Sequence, residues 1–403
     1  MPYPGGSRHE HSRAHSTLFR SFDSLCCRAG AGSGDGQSLV APIVQSTTFC
    51  RDGVDSRATH QYSRVSNPTV SALEEVLGAL EAAPPAACFA TGLAAETALL
   101  LALLRQGDHV VCGRAVYGGT TRLLQRILAP LGIEAAFVDT TSPAAVAAAI
   151  TPRTRLVFVE TPANPTLEVT DIRAIASLAH GAGALLVVDN TFLTPVLQQP
   201  LSLGADVTVT STTKFIDGHS VAPGGAVVSR DEALLERVRF VRKSTGAIQT
   251  PQHAWLTLQG IKTLPLRLRA QSATAATLAH WLARHPAVAR VHYPSLVAPE
   301  LAAAQHLGAD GAVLSFELSG GLAAARGVAG ALRLCRLVEH VGSVETLVTH
   351  PASMTHADVP PADRARAGIA DGLLRLSVGL EDVADIRDDL SAALSTQEPA
   401  VAR

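Results

Sequence analysis

The chain has 403 residues, 47% of them apolar and 17% charged, enough for two folded domains with an ample core. A net charge of −2 gives no electrostatic basis for nucleic acid or an anionic membrane as partner. The longest apolar helical run, near Ala98 to Leu104, is far too short to span a bilayer. The cysteines, Cys26, Cys27, Cys50, Cys88, Cys112 and Cys335, lack metal-ligand spacing, and several sit in apolar strand-like runs. That is the pattern of buried thiols in a reducing, cytoplasmic compartment.

Residues from Met1 to about Leu25 are rich in Gly, Ser, Arg and His, have no apolar signal region, and are expected to form an arm with little order. His9, His11 and His15 lie there without a Cys or acid cluster to fix a metal, so the arm reads as a solvated tail. Gln37 to Cys50 reads as extended, and Gln61 to Thr69 as a loop with an exposed Tyr62 and Arg64, either an anion-binding loop or an ordinary surface loop. A helix opens at Pro68 on the apolar spacing of Val70, Leu73, Val76, Leu77 and Leu80.

A series of strands then alternates with helical patterns. Ala86 to Ala90 is followed by Thr91-Gly92-Leu93, where Thr91 caps a helix and Gly92 leaves the first-turn N–H groups open to an anion. His109 to Cys112 leads to Tyr117-Gly118-Gly119, whose glycines leave room for the Tyr ring to face a ligand. Leu156 to Glu160 leads to Asn164, held between two prolines. Leu185 to Val188 stops at Asp189, and Asp206 to Thr210 stops at Ser211 to Lys214. Taken alone, the last two are equally an Asp at a strand end and a Lys opening a loop. The alternation predicts an α/β fold with a mostly parallel sheet. Ligands of such sheets sit at the C-terminal strand ends. There the chain would gather an anion cradle, an aromatic plate, an amide, an acid and a Lys. An Asp and a Lys so placed suit pyridoxal phosphate (PLP), which needs a Schiff-base Lys and an acid at its ring nitrogen.

Beyond about Leu264 the pattern changes to a long helix from Leu266 to His285, shorter strands Val288 to His292 and Ala312 to Leu318, a helix from Leu322 to Leu332, and apolar stretches Leu334 to Val341 and Glu345 to Met354. Arg375 falls inside the apolar strand Leu373 to Val378, and a last helix covers Val383 to Leu394. A strand-buried Arg needs a partner; a carboxylate ligand is favoured over an internal salt bridge. The expected layout is an N-terminal arm over 1–60 with its first part disordered, a larger cofactor-binding domain over 61–262, and a smaller α/β domain over 263–403.

The stretches YSRVSNPT, ATGLAAE, VYGGTTR, ETPANPT, VVDNTFLTP, STTKFIDGHS, GIKTL, HPASMTH and LLRLSVGLED together resemble the Cys/Met-metabolism family of PLP enzymes from about Leu25 to Leu394. The resemblance is nearest to cystathionine γ-synthase and γ-lyase. It implies the type I, aspartate aminotransferase-like PLP fold and a small amino-acid substrate. It also implies that Lys214 bonds the cofactor and shuttles protons, Asp189 pairs with the ring nitrogen, and Tyr117 stacks on the ring and assists proton movement. Gly92, Leu93, Ser211 and Thr213 would hold the phosphate, with Tyr62 and Arg64 reaching the phosphate of a neighbouring subunit. A homodimer would then be the minimal active unit and a homotetramer the usual assembly. Asn164 would lie near the cofactor and, with Arg375, meet the substrate carboxylate.

Glu339 matches an acid suited to the distal ammonium of cystathionine or the amine of incoming cysteine. Two residues depart from the pattern: His340 where Ser is usual, and Val221 where an Asp commonly follows Ser220. His340 either alters substrate choice or is a tolerated change. Gly119 stands where methionine γ-lyases carry Cys, which argues against that activity. Cystathionine β-lyase and homoserine-ester sulfhydrylase remain alternatives, as do an aminotransferase, whose usual Arg context is not seen, and a PLP-binding protein without catalysis.

Overall fold

In the computed structural model, residues 21–32, 38–357 and 359–395 are described. The expected tail over Met1 to Arg20 lies outside them. Two sheets organise the chain. The larger has seven strands: β1 (Ala87–Phe89), β2 (His109–Gly113), β3 (Glu134–Val138), β4 (Thr154–Glu160), β5 (Leu185–Asp189), β6 (Val207–Thr210) and β7 (Gly225–Ser229), in the order β1-β7-β6-β5-β4-β2-β3. Only β7 runs against its neighbours. The ends of β1, β2, β4, β5 and β6 therefore share one edge, as the alternation of patterns predicts.

The strand residues are apolar on both sides because both faces are covered. Val157, Val159, Leu186 and Val188 pack on one face with Ile172 and Ile175 of the helix Ile172–Gly181. Their neighbours Leu156, Phe158 and Val187 pack on the other with Leu99 of the helix Gly92–Leu103. Two helix starts near the site are fixed by side-chain caps. Asn67 accepts from Thr69 N at 2.9 Å with Pro68 in the first turn, and Thr91 accepts from Ala94 N at 3.0 Å.

The smaller sheet contains β8 (Val288–His292), β9 (Val313–Leu318), β10 (Arg336–Leu337), β11 (Leu347–Thr349) and β12 (Leu373–Ser377), in the order β10-β11-β12-β9-β8. Its core joins Leu314, Phe316, Leu374 and Leu376 to Leu278, Leu282, Ile386 and Leu390 from the helices Leu264–Leu282 and Val383–Ser395.

Three features depart from the sequence expectations. The segment before Leu25 is not wholly unstructured: Phe22–Cys27 is a helix whose Cys26 is buried in the core, and Arg269 holds Asp23 at 2.6 Å. The stretch Leu334 to Val341 shortens to the two residues of β10, because the chain leaves the sheet to run against Lys214. There Gly342 has φ +84°, and a Cβ on it would meet Phe215 N at 2.6 Å. Strands β3 and β7 have no counterpart in the sequence pattern; the first is only half-buried and the second opens with glycine.

The edge strand β1 is secured by a buried ion pair. Glu74 accepts from Arg242 and from Cys88 N (3.0 Å), while Arg242 donates to Cys88 O at 2.7 Å. Removing one partner strands a charge in the interior. Arg242→Met should therefore cost on the order of 3–5 kcal/mol in denaturant unfolding, with Glu74→Gln added on top recovering part of it.

Candidate active site

The shared strand edge opens into a cleft of about 580 Å³ lined by Thr91, Gly92, Leu93, Tyr117, Asn164, Asp189, Ser211, Thr213, Lys214, Glu339, His340 and Arg375. Every site residue expected from the sequence is thus brought together except Tyr62 and Arg64. Those two are exposed. Arg64 lies 5.3 Å over the Tyr62 ring and donates to Lys243 O at 2.8 Å.

Each strand end delivers its side chain through a short local bond. Asp189 Oδ1 accepts from Thr191 N at 2.9 Å, and Thr191 Oγ1 in turn accepts from Ser211 N at 2.9 Å, which joins the ends of β5 and β6. Glu160, not singled out from the sequence, accepts from Tyr117 N at 2.6 Å and from Asn164 N at 3.0 Å. One buried carboxyl group thus holds the aromatic plate and the amide in register. Its position at the end of β4, ahead of Thr161-Pro162, was the available signal. Glu96, also missed, accepts from Thr120 Oγ1 at 2.8 Å from inside the helix that starts at Gly92. The Tyr117 ring lies over Gly119, where any Cβ would collide with it.

The cations come from both sheets. Arg375 in β12 is 2% exposed; its Nη1 donates to Asn164 Oδ1 at 2.7 Å and its Nη2 to Thr349 Oγ1 and His340 O, both at 3.1 Å. It makes no ion pair among the described residues, and its Nε is buried without a partner. The internal salt bridge considered from the sequence is absent there, and the guanidinium faces the cleft. Lys214 Nζ lies 3.2 Å from His340 Nδ1. Glu339 lines the cleft and is exposed to solvent.

Burial sets the protonation of these groups. It lowers Lys214 to about 8, with the Arg375 charge adding to the effect. It lowers Arg375 to about 10, opposed by Glu160. Burial raises Glu160 well above the usual carboxylate range, and the charge of Asp189 raises it further. Asp189 itself is raised by burial, against the pull of its Thr191 hydrogen bonds.

These residues fit the cofactor that the sequence implies. Lys214 offers an amine that loses its proton far more readily than a free lysine, for an aldehyde, and Asp189 a buried acid for a pyridine nitrogen. A Cβ on Gly92 would meet Ser211 Cβ at 2.8 Å, so the first helical turn lies against the Ser211 loop and leaves a backbone cradle for a phosphate. Ser211 and Thr213 border that cradle, though the Thr213 hydroxyl already accepts from Gly224 N at 2.9 Å and donates to Gly224 O at 3.0 Å. It would have to give up the Gly224 O bond to donate to a phosphate.

Comparison with known proteins agrees with this chemistry. The family described as "Cys/Met metabolism PLP-dependent enzyme" matches residues 23–395. The chain is 43% identical over 370 residues to a cystathionine gamma-lyase of Bacillus subtilis (strain 168), covering 91% of this chain and 97% of that protein. It is 43% identical over 385 residues to an O-succinylhomoserine sulfhydrylase of Pseudomonas aeruginosa, covering 93% and 95%. The crystal structure of cystathionine gamma synthase from Xanthomonas oryzae pv. oryzae superposes with a TM-score of 0.90 at 41% identity, covering 93% of this chain and 98% of that one.

The buried acids make a testable pH signature. Burial, and then the charge of Asp189, raises Glu96 to about 8 from an ordinary 4.5, against its Thr120 bond. A carboxyl whose pKa rises on folding contributes stability that is complete below its unfolded pKa and is lost as pH rises through the folded value. In cofactor-stripped protein, the stability of the unmodified chain relative to Glu96→Gln should therefore fall between about pH 4.5 and 8, by at most about 1.4 kcal/mol per pH unit. Denaturant midpoints of the two proteins at pH 5, 6.5 and 8 measure it; a constant difference would mean Glu96 ionises normally.

Proposed function

The chain belongs to the Cys/Met metabolism PLP-dependent enzymes, and from that premise we propose that it acts at the γ-carbon of homoserine-derived amino acids, making or breaking a C–S bond as cystathionine γ-synthases and γ-lyases do. Its fold is the type I, aspartate aminotransferase-like PLP fold, it is an enzyme of sulfur amino-acid metabolism, and its cofactor is PLP. The observation that carries the γ-carbon reading is that Lys214, Asp189, Tyr117 and Arg375 converge on one cleft that Glu339 also lines.

PLP, when bound, supplies an electron sink for charge developed at the substrate's Cα. Asp189, at the floor of the cleft, keeps the ring nitrogen protonated. Arg375 and Asn164 orient the substrate through its α-carboxylate; the Nη1–Oδ1 bond between them aligns both for it. Lys214, lowered to about 8, is neutral near neutral pH far more often than a free lysine and takes the proton from Cα. For γ-chemistry the same amine then moves a proton at Cβ, and Tyr117 delivers a proton toward the leaving γ-substituent. Glu339 receives the ammonium of the distal amino acid, whether of cystathionine or of incoming cysteine.

The homoserine-ester sulfhydrylase reading stays beside this one because a protein of that name matches at the same 43% identity. A substrate panel separates them. O-acetyl- and O-succinylhomoserine are each supplied with cysteine or with hydrosulfide, and cystathionine and methionine are supplied alone, with products read by mass spectrometry. Cystathionine made or cleaved is the expected result. Homocysteine formed from hydrosulfide with no use of cysteine or cystathionine favours the sulfhydrylase; transamination alone would end both readings. Lys214→Ala should lose turnover with every substrate, since cofactor bond and proton shuttle go together.

The assembly proposed is a homodimer as active unit, within a tetramer, acting in the cytoplasm. Tyr62 and Arg64 support the dimer: they are exposed and outside their own subunit's cleft, and an aromatic–guanidinium pair suits a neighbour's phosphate. The free cysteines suit a reducing compartment. Mixing Arg64→Ala protein with Lys214→Ala protein should restore activity through hybrid dimers that carry one intact site. No recovery, with subunit exchange demonstrated, would return Arg64 to its own surface.

A further inference from the structure

We propose that His340 is a positioning residue for Lys214: its Nδ1 is the acceptor on which the free Lys214 amine docks, and its carbonyl fixes that dock relative to Arg375. The proposal rests on the reading of Lys214 as the base of the cleft.

The geometry carries it. His340 Nδ1 stands 3.2 Å from Lys214 Nζ, and His340 O accepts from Arg375 Nη2 at 3.1 Å. One residue therefore touches both the base and the cation assigned to the substrate carboxylate, and sets the distance between them. The loop that presents it is moulded to Lys214: a Cβ on Gly342 would meet the Lys214 carbonyl carbon at 2.8 Å, and Gly342 N donates to Ser377 Oγ at 2.8 Å. The second ring nitrogen of His340, Nε2, is buried with no hydrogen-bond partner. An unpaired buried nitrogen is a cost that a hydrocarbon of the same size would avoid, so packing alone does not account for an imidazole here.

The charges around the ring keep its lone pair available. Burial, then the Lys214 and Arg375 cations, lowers His340 to about 4, so the imidazole is neutral at working pH. Charged groups that share its surroundings include Glu339, next in sequence and lining the same cleft as Arg122 and Glu160, and the Arg336–Glu345 ion pair (3.2 Å). That pair lines a second cavity, of about 430 Å³, which His340 also borders. With Nδ1 as acceptor, the ring proton sits on Nε2. Once Lys214 has taken the substrate's proton, its ammonium donates to Nδ1. No proton passes to the imidazole, and Lys214 returns one of its three equivalent ammonium protons when it swings back to the substrate carbon.

The test uses holoenzyme and L-alanine, which has no γ-substituent to lose, and follows exchange of its Cα proton in D₂O by NMR across pH. His340→Leu should slow exchange by about tenfold to a hundredfold, the loss of one hydrogen bond to a charged group, with the dissociation constant for L-alanine and the visible spectrum of the holoenzyme unchanged. His340→Asn, which keeps an acceptor near the position of Nδ1, should retain most of the rate. In cofactor-stripped protein, the pH of half-maximal acylation of Lys214 should fall in His340→Leu and hold in His340→Asn, because an acceptor favours the charged amine. Exchange in His340→Leu equal to the unmodified enzyme overturns the dock. So does equal loss in His340→Asn, or a loss confined to L-alanine binding. Absence of Cα exchange in the unmodified enzyme overturns it through its premise. Since L-alanine exchange involves no γ-carbon, a failure here leaves the proposed γ-reaction standing, and a failed substrate panel leaves the dock standing.

Discussion

The structure depends on burying several ionisable groups in one place. Three carboxyls, Glu96, Glu160 and Asp189, and two cations, Lys214 and Arg375, meet at the edge of one sheet. Desolvation alone would drive all five toward neutrality. The fold offsets that cost unevenly. Glu160 accepts two backbone N–H groups and lies in the field of Arg375, while Asp189 is held by Thr191. Lys214 has a neutral imidazole and an opposing cation beside it, and burial lowers it to about 8. The proton-transfer role proposed for Lys214 draws on that lowered value.

Much of this arrangement was legible in the sequence because strand ends are legible. An apolar run that stops at a polar residue marks both the strand and the edge it delivers to, as at Asp189 and Lys214. Parallel packing then puts those edges together without further information. What the sequence did not disclose are residues whose role is toward other residues. Glu160 belongs to the strand pattern, and nothing in its neighbours tells that its carboxylate reaches Tyr117 N and Asn164 N. The helix Phe22–Cys27 overlaps the end of the polar arm that the sequence predicts, since one buried Cys and one Asp–Arg pair give a short segment no periodicity. Strand β7 was missed for a related reason: Gly225 must approach Thr91 and Gly92 closely, and that glycine weakens the strand signal at the point where packing demands it.

Glycines also explain how the two sheets share one cleft. Gly92 admits the Ser211 loop, Gly119 admits the Tyr117 ring, and Gly342 brings the Glu339–His340 segment from the smaller sheet against Lys214. In each case a single Cβ would displace a functional group rather than simply crowd a core. The cleft is thus assembled by close approach of backbone, and its side chains need little reach. That favours fixed geometry, which proton transfer between Lys214 and a substrate carbon requires.

Position 119 shows how specificity follows from the same constraint. A side chain there would enter the space of the Tyr117 ring, whose backbone N–H is fixed by Glu160. The ring would have to rotate about its own side-chain bonds, since its main chain is held. On the role proposed for Tyr117, a change at 119 would act through the Tyr117 hydroxyl and the face its ring offers the cofactor. Glu339 and His340 also line the cleft: Glu339 is open to solvent and is proposed to meet the distal end of a substrate, while His340 is turned inward to Lys214. On the proposed roles, these sequence neighbours divide into a group that meets the variable part of the substrate and a group that meets Lys214, which every substrate would use. Substitutions at 339 should accordingly sort substrates from one another, while substitutions at 340 act on all of them through the base.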